Sequence, residues 1–167
     1  TGVQTCALPI FELVAGAFSL LSAFNFTLWY VAIVRRTLKP IRRSPEVKFF
    51  LSAAAAIILI TAWQVWHAGM YSPTDSLVHA FFLASSMMTD NGLSTADYAQ
   101  WPTHTIFLLL SASFFGGCVG STCGGIKALR FLIMFKQSIQ EMNQLAHPRA
   151  LLSIKVGKSV VNEQIGR

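Results

Sequence analysis

The sequence predicts an all-α integral membrane chain in which one segment turns back before it has crossed the bilayer. Apolar residues make up 53% of the 167 residues and charged residues only 12%, a balance that excludes an ordinary soluble domain. Between two longer apolar runs, His79 to Met88 is half as long as the stretch of about 20 residues that a crossing helix needs. The polar loop after it, Thr89 to Thr95, is therefore expected at membrane depth, where non-helical backbone is tolerated if it lines a water-filled cavity. We predict that this loop lines a pore.

Basic residues set the expected orientation of the chain. The net charge is +6, but the basic side chains form blocks between apolar segments, without the basic, aromatic-containing face that indicates nucleic-acid binding. The positive-inside rule makes the loop at positions 35–46 cytoplasmic, and an anionic-lipid site there is the alternative interpretation. Glu46 is the one acidic residue in this region. The basic residues in and just after the loop are Arg35, Arg36, Lys39, Arg42, Arg43 and Lys48.

The segment before the basic loop is apolar from Ile10 to Val34 and long enough to form one transmembrane helix at positions 10–34. Asn25 is the polar group within it that needs an explanation. Either an interhelical hydrogen bond or a position along an ion path would account for it. Positions 1–9 carry no periodic pattern and no basic leader region, so we expect them to be the edge of a fragment and not the start of a membrane protein with its own signal sequence.

After the basic loop, a second spanning helix is predicted at positions 47–68. Trp63 and Trp66 near its far end are typical of the interfacial belt at the opposite membrane surface. Trp101, which follows the polar loop, is expected to lie in the same belt.

The next helix is predicted at positions 74–88. Ser72 supplies an N-cap, Pro73 is tolerated in a first turn, and Asp75 is favourable near a helix N-terminus. The C-terminal end of this helix points into the membrane, and its partial negative charge favours a cation in the loop beyond it.

The last apolar stretch, at positions 105–135, is too long for one straight crossing at about 1.5 Å per residue. It contains five glycines within positions 116–125, and each weakens a helix interior by about 1 kcal/mol relative to alanine. We predict a helix broken by an intramembrane loop. A close-packed glycine interface, indicated by the spacing of Gly116 and Gly120, is a compatible alternative.

The remaining positions, 136–167, are basic and amphipathic, with Pro148 ending a helix near His147. They are predicted to form a cytoplasmic segment, on the same side as the first basic loop.

Three motifs in order carry a resemblance to a known family: TDNGLSTAD from Thr89 to Asp97, GGCVGSTCGGIK from Gly116 to Lys127, and NQLAHPRA from Asn143 to Ala150. The chain resembles the membrane subunit of the Trk-type bacterial potassium uptake systems, within the Trk/Ktr/HKT superfamily of potassium transporters. The likeness runs from about Phe11 to the last residue and leaves positions 1–9 outside the family.

This resemblance implies a fold of four potassium-channel-like repeats in one polypeptide. Each repeat has an outer helix, a re-entrant pore helix with a filter loop, and an inner helix. Positions 47–135 match one repeat, by position the third, so the chain is expected to be partial: outer helix 47–68, pore helix 74–88, filter 89–95, and inner helix 105–135 broken at 116–125. The helix at 10–34 would be the inner helix of the preceding repeat.

By the same resemblance, potassium is selected by the backbone carbonyls of Thr89, Asp90, Asn91 and Gly92, which replace its hydration shell. The Asp90 side chain is expected to brace the loop, with attraction of cations as the alternative. The glycine-rich segment would be a gating loop below the filter, at Gly116, Gly117, Gly120, Gly124 and Gly125. Lys127 just beyond it either tunes the inner mouth or is a plain interfacial lysine.

The resemblance also implies partners and a location. These are the remaining repeats of the same polypeptide, a second copy in a homodimer, a cytoplasmic nucleotide-binding regulatory subunit, and the bilayer of the bacterial inner membrane, crossed several times. Potassium is expected as the transported substrate, without a tightly bound cofactor. Enzymatic activity is not expected, because Cys118, Cys123 and the histidines do not assemble a metal site. A non-conducting structural or assembly subunit is the competing hypothesis.

Overall fold

The computed structural model describes residues 2–146, 154–156 and 159–161, with side chains from residue 8 to residue 142. This part of the chain is mainly helical. Its helices are α1 (Gly2–Ser22), α2 (Phe26–Val34), α3 (Lys39–Arg43), α4 (Pro45–His67), α5 (Pro73–Thr89), α6 (Thr103–Ser113) and α7 (Ala128–Ala146), with a 3₁₀ turn at Tyr98–Gln100. Its strands are β1 (Phe115–Gly116), β2 (Ile126–Lys127), β3 (Ile154–Val156) and β4 (Ser159–Val161).

Helix α5 lies at the centre of the fold and packs against α1, α4 and α6. Its first turn is exposed, where the Ser72 hydroxyl accepts from the backbone N–H of Asp75 at 3.3 Å and Pro73 is tolerated. Farther along, residues 82–86 are five consecutive buried positions, so neighbouring elements enclose every face of the helix there. Helix α5 therefore starts at the surface and ends inside the protein, over a range one residue longer at each end than the predicted 74–88.

Helix α4 is, within the described residues, the one helix that is by itself long and apolar enough to cross a membrane. Ser44 caps it, and Trp63 and Trp66 near its end are 58% and 50% exposed. Trp101, in contrast, is only 3% exposed. The expectation of an interfacial position for Trp101 is wrong, because the 3₁₀ turn before it folds the chain back and the indole joins the hydrophobic core.

The predicted single helix at positions 10–34 is instead two helices, α1 and α2, that meet at an angle of 94°. Asn25 causes part of this break, since its side-chain oxygen accepts from the backbone N–H of Thr27 at 2.7 Å and caps α2. A side chain that bonds the local backbone in this way competes with helix continuation. A straight crossing over 10–34 is therefore wrong, and Asn25 acts as a helix cap at the bend.

Other differences concern the loops. The basic loop contains the short helix α3, with Pro40 tolerated near its start. The glycine-containing break is wider than predicted, because α6 ends at Ser113 and α7 begins at Ala128. Within that break β1 pairs with β2 in parallel, while β3 and β4 form an antiparallel pair. The predicted helix end near His147 and Pro148 falls outside the described residues.

Candidate functional site

The polar loop begins where α5 ends in a left-handed turn. Asp90 has φ 56° and ψ 30° and caps the helix, its backbone N–H bonding to the carbonyl of Met87 at 3.3 Å. Gly92, two residues later, has φ +67°. Two left-handed residues in three turn the backbone sharply away from the helix axis, a conformation that costs an L-residue about 1–2 kcal/mol and costs glycine little.

The backbone oxygens at the start of this loop take no part in regular secondary structure. Asp90, Asn91 and Gly92 are exposed, and in the described part of the chain no donor hydrogen-bonds to their carbonyl oxygens. A carbonyl that is not engaged by the protein is free to coordinate a ligand, and rings of carbonyls are the usual coordination of potassium in channels. The loop thus presents the type of group that the proposed filter requires.

The side chains of the loop are engaged by neighbouring helices. Asp90 Oδ1 accepts from the Ser113 hydroxyl at the end of α6, at 3.0 Å. Asn91 Nδ2 donates to the Ser19 hydroxyl of α1. These contacts join the side chains of the loop to α6 and α1.

A second cluster lies behind the loop and was not anticipated from the sequence. Glu12 of α1 is fully buried and lies 3.0 Å from His79 Nδ1 on α5. The same carboxylate oxygen, Oε1, accepts from the Thr95 hydroxyl at the far end of the polar loop. An acidic residue inside an apolar run was the available signal, because such a residue must find polar partners when buried. Glu12 joins α1, α5 and the end of the loop.

The glycine-containing segment, positions 114–127, is a compact loop closed by the β1–β2 pair; we call it the glycine loop. A Cβ on Gly116 would lie 2.2 Å from the backbone oxygen of Gly124. Gly120 and Gly125 have φ values of +76° and +67°. Close approach at one position and left-handed backbone at two others therefore require glycine here.

This loop docks onto the bend between α1 and α2 through backbone groups. The Cys118 N–H donates to the carbonyl of Ala23 at 2.8 Å, and the Phe26 N–H donates to the carbonyl of Gly120 at 3.3 Å. A Cβ on Gly117 would lie 2.8 Å from the Ala23 oxygen. Two breaks that are far apart in sequence thus satisfy each other's orphaned backbone groups.

Two charged side chains also hold the glycine loop. Glu46 Oε1 accepts from the backbone N–H of Val119 at 2.6 Å, a contact that the sequence analysis missed. Lys127 Nζ donates to the carbonyls of Cys123 and, at 3.5 Å, Ser121. Lys127 is therefore bound to the loop itself and is half-buried, unlike a plain interfacial lysine.

The polar loop and the glycine loop meet at Asp90. A Cβ on Gly124 would lie 2.4 Å from Asp90 Oδ2, and the other oxygen of that carboxylate is bonded to Ser113, just before the glycine loop. One side chain at the start of the polar loop thus contacts both the end of α6 and the glycine loop.

Two of the cysteines lie in the glycine loop. Cys118 and Cys123 are free and buried. Over the residues whose placement is described, no group of three or more potential metal ligands comes together. The two thiols occupy small, buried positions in the glycine loop.

Comparison with known proteins places this geometry in a family. A family model described as "TrkH: Cation transport protein" matches residues 5–167. The chain belongs to this family. The expectation that positions 1–9 lie outside it is therefore wrong from position 5 onward.

Relatives in the TrkH family agree with the assignment. The chain is 65% identical over 156 residues to the Trk system potassium uptake protein TrkG of Escherichia coli (strain K12), covering 93% of the chain and 32% of the relative. It is 40% identical to the Trk system potassium uptake protein TrkH of Halomonas elongata, with the same coverage. The crystal structure of the potassium transporter TrkH from Vibrio parahaemolyticus matches with a TM-score of 0.89 at 35% identity, over 94% of this chain and 34% of that one.

These comparisons confirm the predicted fold class, an all-α membrane fold present in part, and the predicted Trk-type family. The chain spans about a third of the length of the relatives it matches.

Proposed function

We propose that this chain supplies one repeat of a protein that takes up potassium across the bacterial inner membrane, with the backbone of Thr89 to Gly92 as one quarter of its selectivity filter. The names of the relatives support potassium as the substrate. The observation that carries the site is the end of α5: a helix that stops inside the protein, followed by two left-handed residues and carbonyl oxygens without a protein donor. The C-terminal end of α5 adds partial negative charge directed at a cation.

The glycine loop is proposed as the gate. It interrupts the inner helix between α6 and α7 and touches the filter segment through Asp90. Five of its residues are glycines, which weaken helical structure and permit rearrangement. Its contacts with the bend at Ala23 to Phe26 are few and reversible backbone hydrogen bonds. A short, non-helical segment beside a filter is suited to open and close.

The partners belong to the proposal as well. One filter loop cannot surround an ion, so the other three quarters would come from the remaining repeats of the same polypeptide. We further propose a homodimer and a cytoplasmic nucleotide-binding subunit that regulates the gate, as the resemblance implies. We propose that lipid of the bilayer covers the exposed surface of α4, which is largely apolar.

Potassium uptake in uptake-deficient cells that express the full-length parent tests the proposal. Gly92→Ser adds a side chain to a residue with φ +67° but meets no atom within 4 Å, so it strains the filter backbone without a clash. We expect uptake to continue with a lower preference for potassium over sodium. A deletion within Gly116 to Gly125 is expected to make uptake less regulated.

Unchanged uptake and selectivity in both variants would contradict the filter and gate assignments. That result would favour a non-conducting structural or assembly subunit, since such a subunit needs neither loop. Loss of protein from the membrane in either variant is detected by quantifying the protein in isolated membranes. Uptake is therefore compared per amount of protein.

A further inference from the structure

Glu46 lies in the first turn of α4, directly after a basic loop. An acidic residue at this position is ordinarily explained by its interaction with the helix N-terminus. The structure gives it a different partner. Glu46 is only 8% exposed, and its Oε1 accepts from the backbone N–H of Val119, which is 73 residues away in the glycine loop, at 2.6 Å.

The chemistry of this contact makes it stronger than its neighbours. A hydrogen bond from an N–H to an ionised carboxylate is roughly twice as strong as one between neutral groups. The Lys127 ammonium is bonded to two carbonyls of the same loop. Glu46 and Lys127 therefore hold the same loop, one from outside and one from within.

The other contacts that dock the loop are of a different kind. The hydrogen bonds that join the loop to Ala23 and Phe26 connect backbone groups only. They do not depend on which side chains are present. Within the described residues, Glu46 makes the one hydrogen bond in which a side chain of another helix holds a backbone group of the loop. This hydrogen bond can be removed by substitution without changing the loop sequence.

We propose that Glu46 is a positioning residue that holds the glycine loop in its docked arrangement, so that breaking the Glu46–Val119 hydrogen bond is required for the loop to open. This inference rests on the gating role proposed above for that loop. It adds a specific contact that regulation has to break, and it assigns a role to the single acid of the basic segment.

Thiol labelling of Cys118 in the full-length parent tests the inference without measuring transport. Cys118 is fully buried beside Val119, so its reaction with a membrane-impermeant maleimide reports release of the loop. The other cysteines, including Cys6 and Cys123, are replaced by serine in every variant so that Cys118 is the single thiol, and inside-out vesicles expose the cytoplasmic face. From the typical strength of a charged hydrogen bond, we expect Glu46→Ala to accelerate labelling about tenfold or more.

Two further variants distinguish loss of the Glu46–Val119 hydrogen bond from general destabilisation of the protein. Glu46→Gln keeps an acceptor oxygen but loses the charge, so its labelling rate is expected between those of wild type and Glu46→Ala. It also carries the test if the alanine variant does not fold. Ser44→Ala is the matched control, because Ser44 caps the same helix start through Val47 and does not touch the loop. It should label at the wild-type rate.

Potassium uptake without the regulatory subunit gives the second readout. Glu46→Ala is expected to raise it, a gain that misfolding does not produce. Equal labelling rates in Glu46→Ala and wild type, or equally fast labelling in Ser44→Ala, would overturn the inference and leave the filter proposal standing. Faster labelling with unchanged uptake would overturn it together with the gating role, because the loop would then move without opening a path.

Discussion

Gly116→Ala is the substitution whose effect follows most directly from the geometry of the glycine loop. The added methyl group would lie 2.2 Å from the Gly124 oxygen, 3.0 Å from the Gly125 carbonyl carbon and 3.1 Å from the Ile126 oxygen. All three atoms are backbone, so no side chain can rotate away. One arm of the loop must move by about 1 Å to restore ordinary contact.

The free-energy cost of Gly116→Ala can be estimated from the cost of added methyl groups in other well-packed proteins. Extra methyl groups in well-packed sites cost about 1–3 kcal/mol, which corresponds to a shift of about 5- to 150-fold in the equilibrium between two arrangements. We expect the upper half of this range for Gly116→Ala, because the β1–β2 pair places both arms in direct contact. We expect the closed arrangement of the loop to lose that stability, and an arrangement in which its two arms separate to keep it.

The assay is potassium uptake by the full-length parent without the proposed regulatory subunit, together with the melting temperature of the purified protein. Gly116→Ala should raise uptake and lower the melting temperature. Gly69→Ala is the control: Gly69 has φ +70°, but a Cβ there meets nothing within 4 Å and lies far along the chain from the loop. It carries backbone strain of about 1–2 kcal/mol without a clash. If the two variants behave alike in uptake, the contact argument is refuted.

Two further predictions concern α5 and its neighbours. Glu12→Ala removes the partner of His79 and of the Thr95 hydroxyl, and we expect the free energy of unfolding to fall by about 1–3 kcal/mol, measured by thermal denaturation in detergent; an unchanged melting temperature would show that this cluster adds nothing. Ser72→Ala removes the N-cap of α5 and should cost about 1 kcal/mol in the same measurement, whereas Ser52→Ala, an exposed serine inside α4, should cost less; equal effects would contradict the capping role.

Part of the candidate site could be predicted because its signals are local. The cap at Ser72, the half-length apolar segment and the polar loop after it lie next to one another in sequence, and they indicated a helix that ends inside the membrane. The glycines of positions 116–125 indicated a broken helix in the same way, since each weakens a helix wherever it is placed. The bounds of the break were too narrow because β1 and β2 extend it at both ends.

The partners of the buried acids could not be predicted. Glu12 and Glu46 each reach a group that lies more than sixty residues away in the chain. An acidic residue in sequence indicates only that a partner is needed when it is buried, because hydrogen-bond geometry depends on where distant elements pack. For the same reason Trp101 was expected at an interface, although it belongs to the hydrophobic core.

The sequence by itself determined the membrane class, the family likeness, the existence of a short helix with a polar loop, and a glycine-rich interruption, all of which depend on composition and on neighbouring residues. The tertiary structure decided that the chain bends by 94° at Ala23 to Asn25 and that this bend accepts the glycine loop. It also decided that Glu46 holds that loop and that Asp90 of the polar loop contacts it. Broken helices leave backbone groups without partners, and only the packed structure determines which distant groups satisfy them.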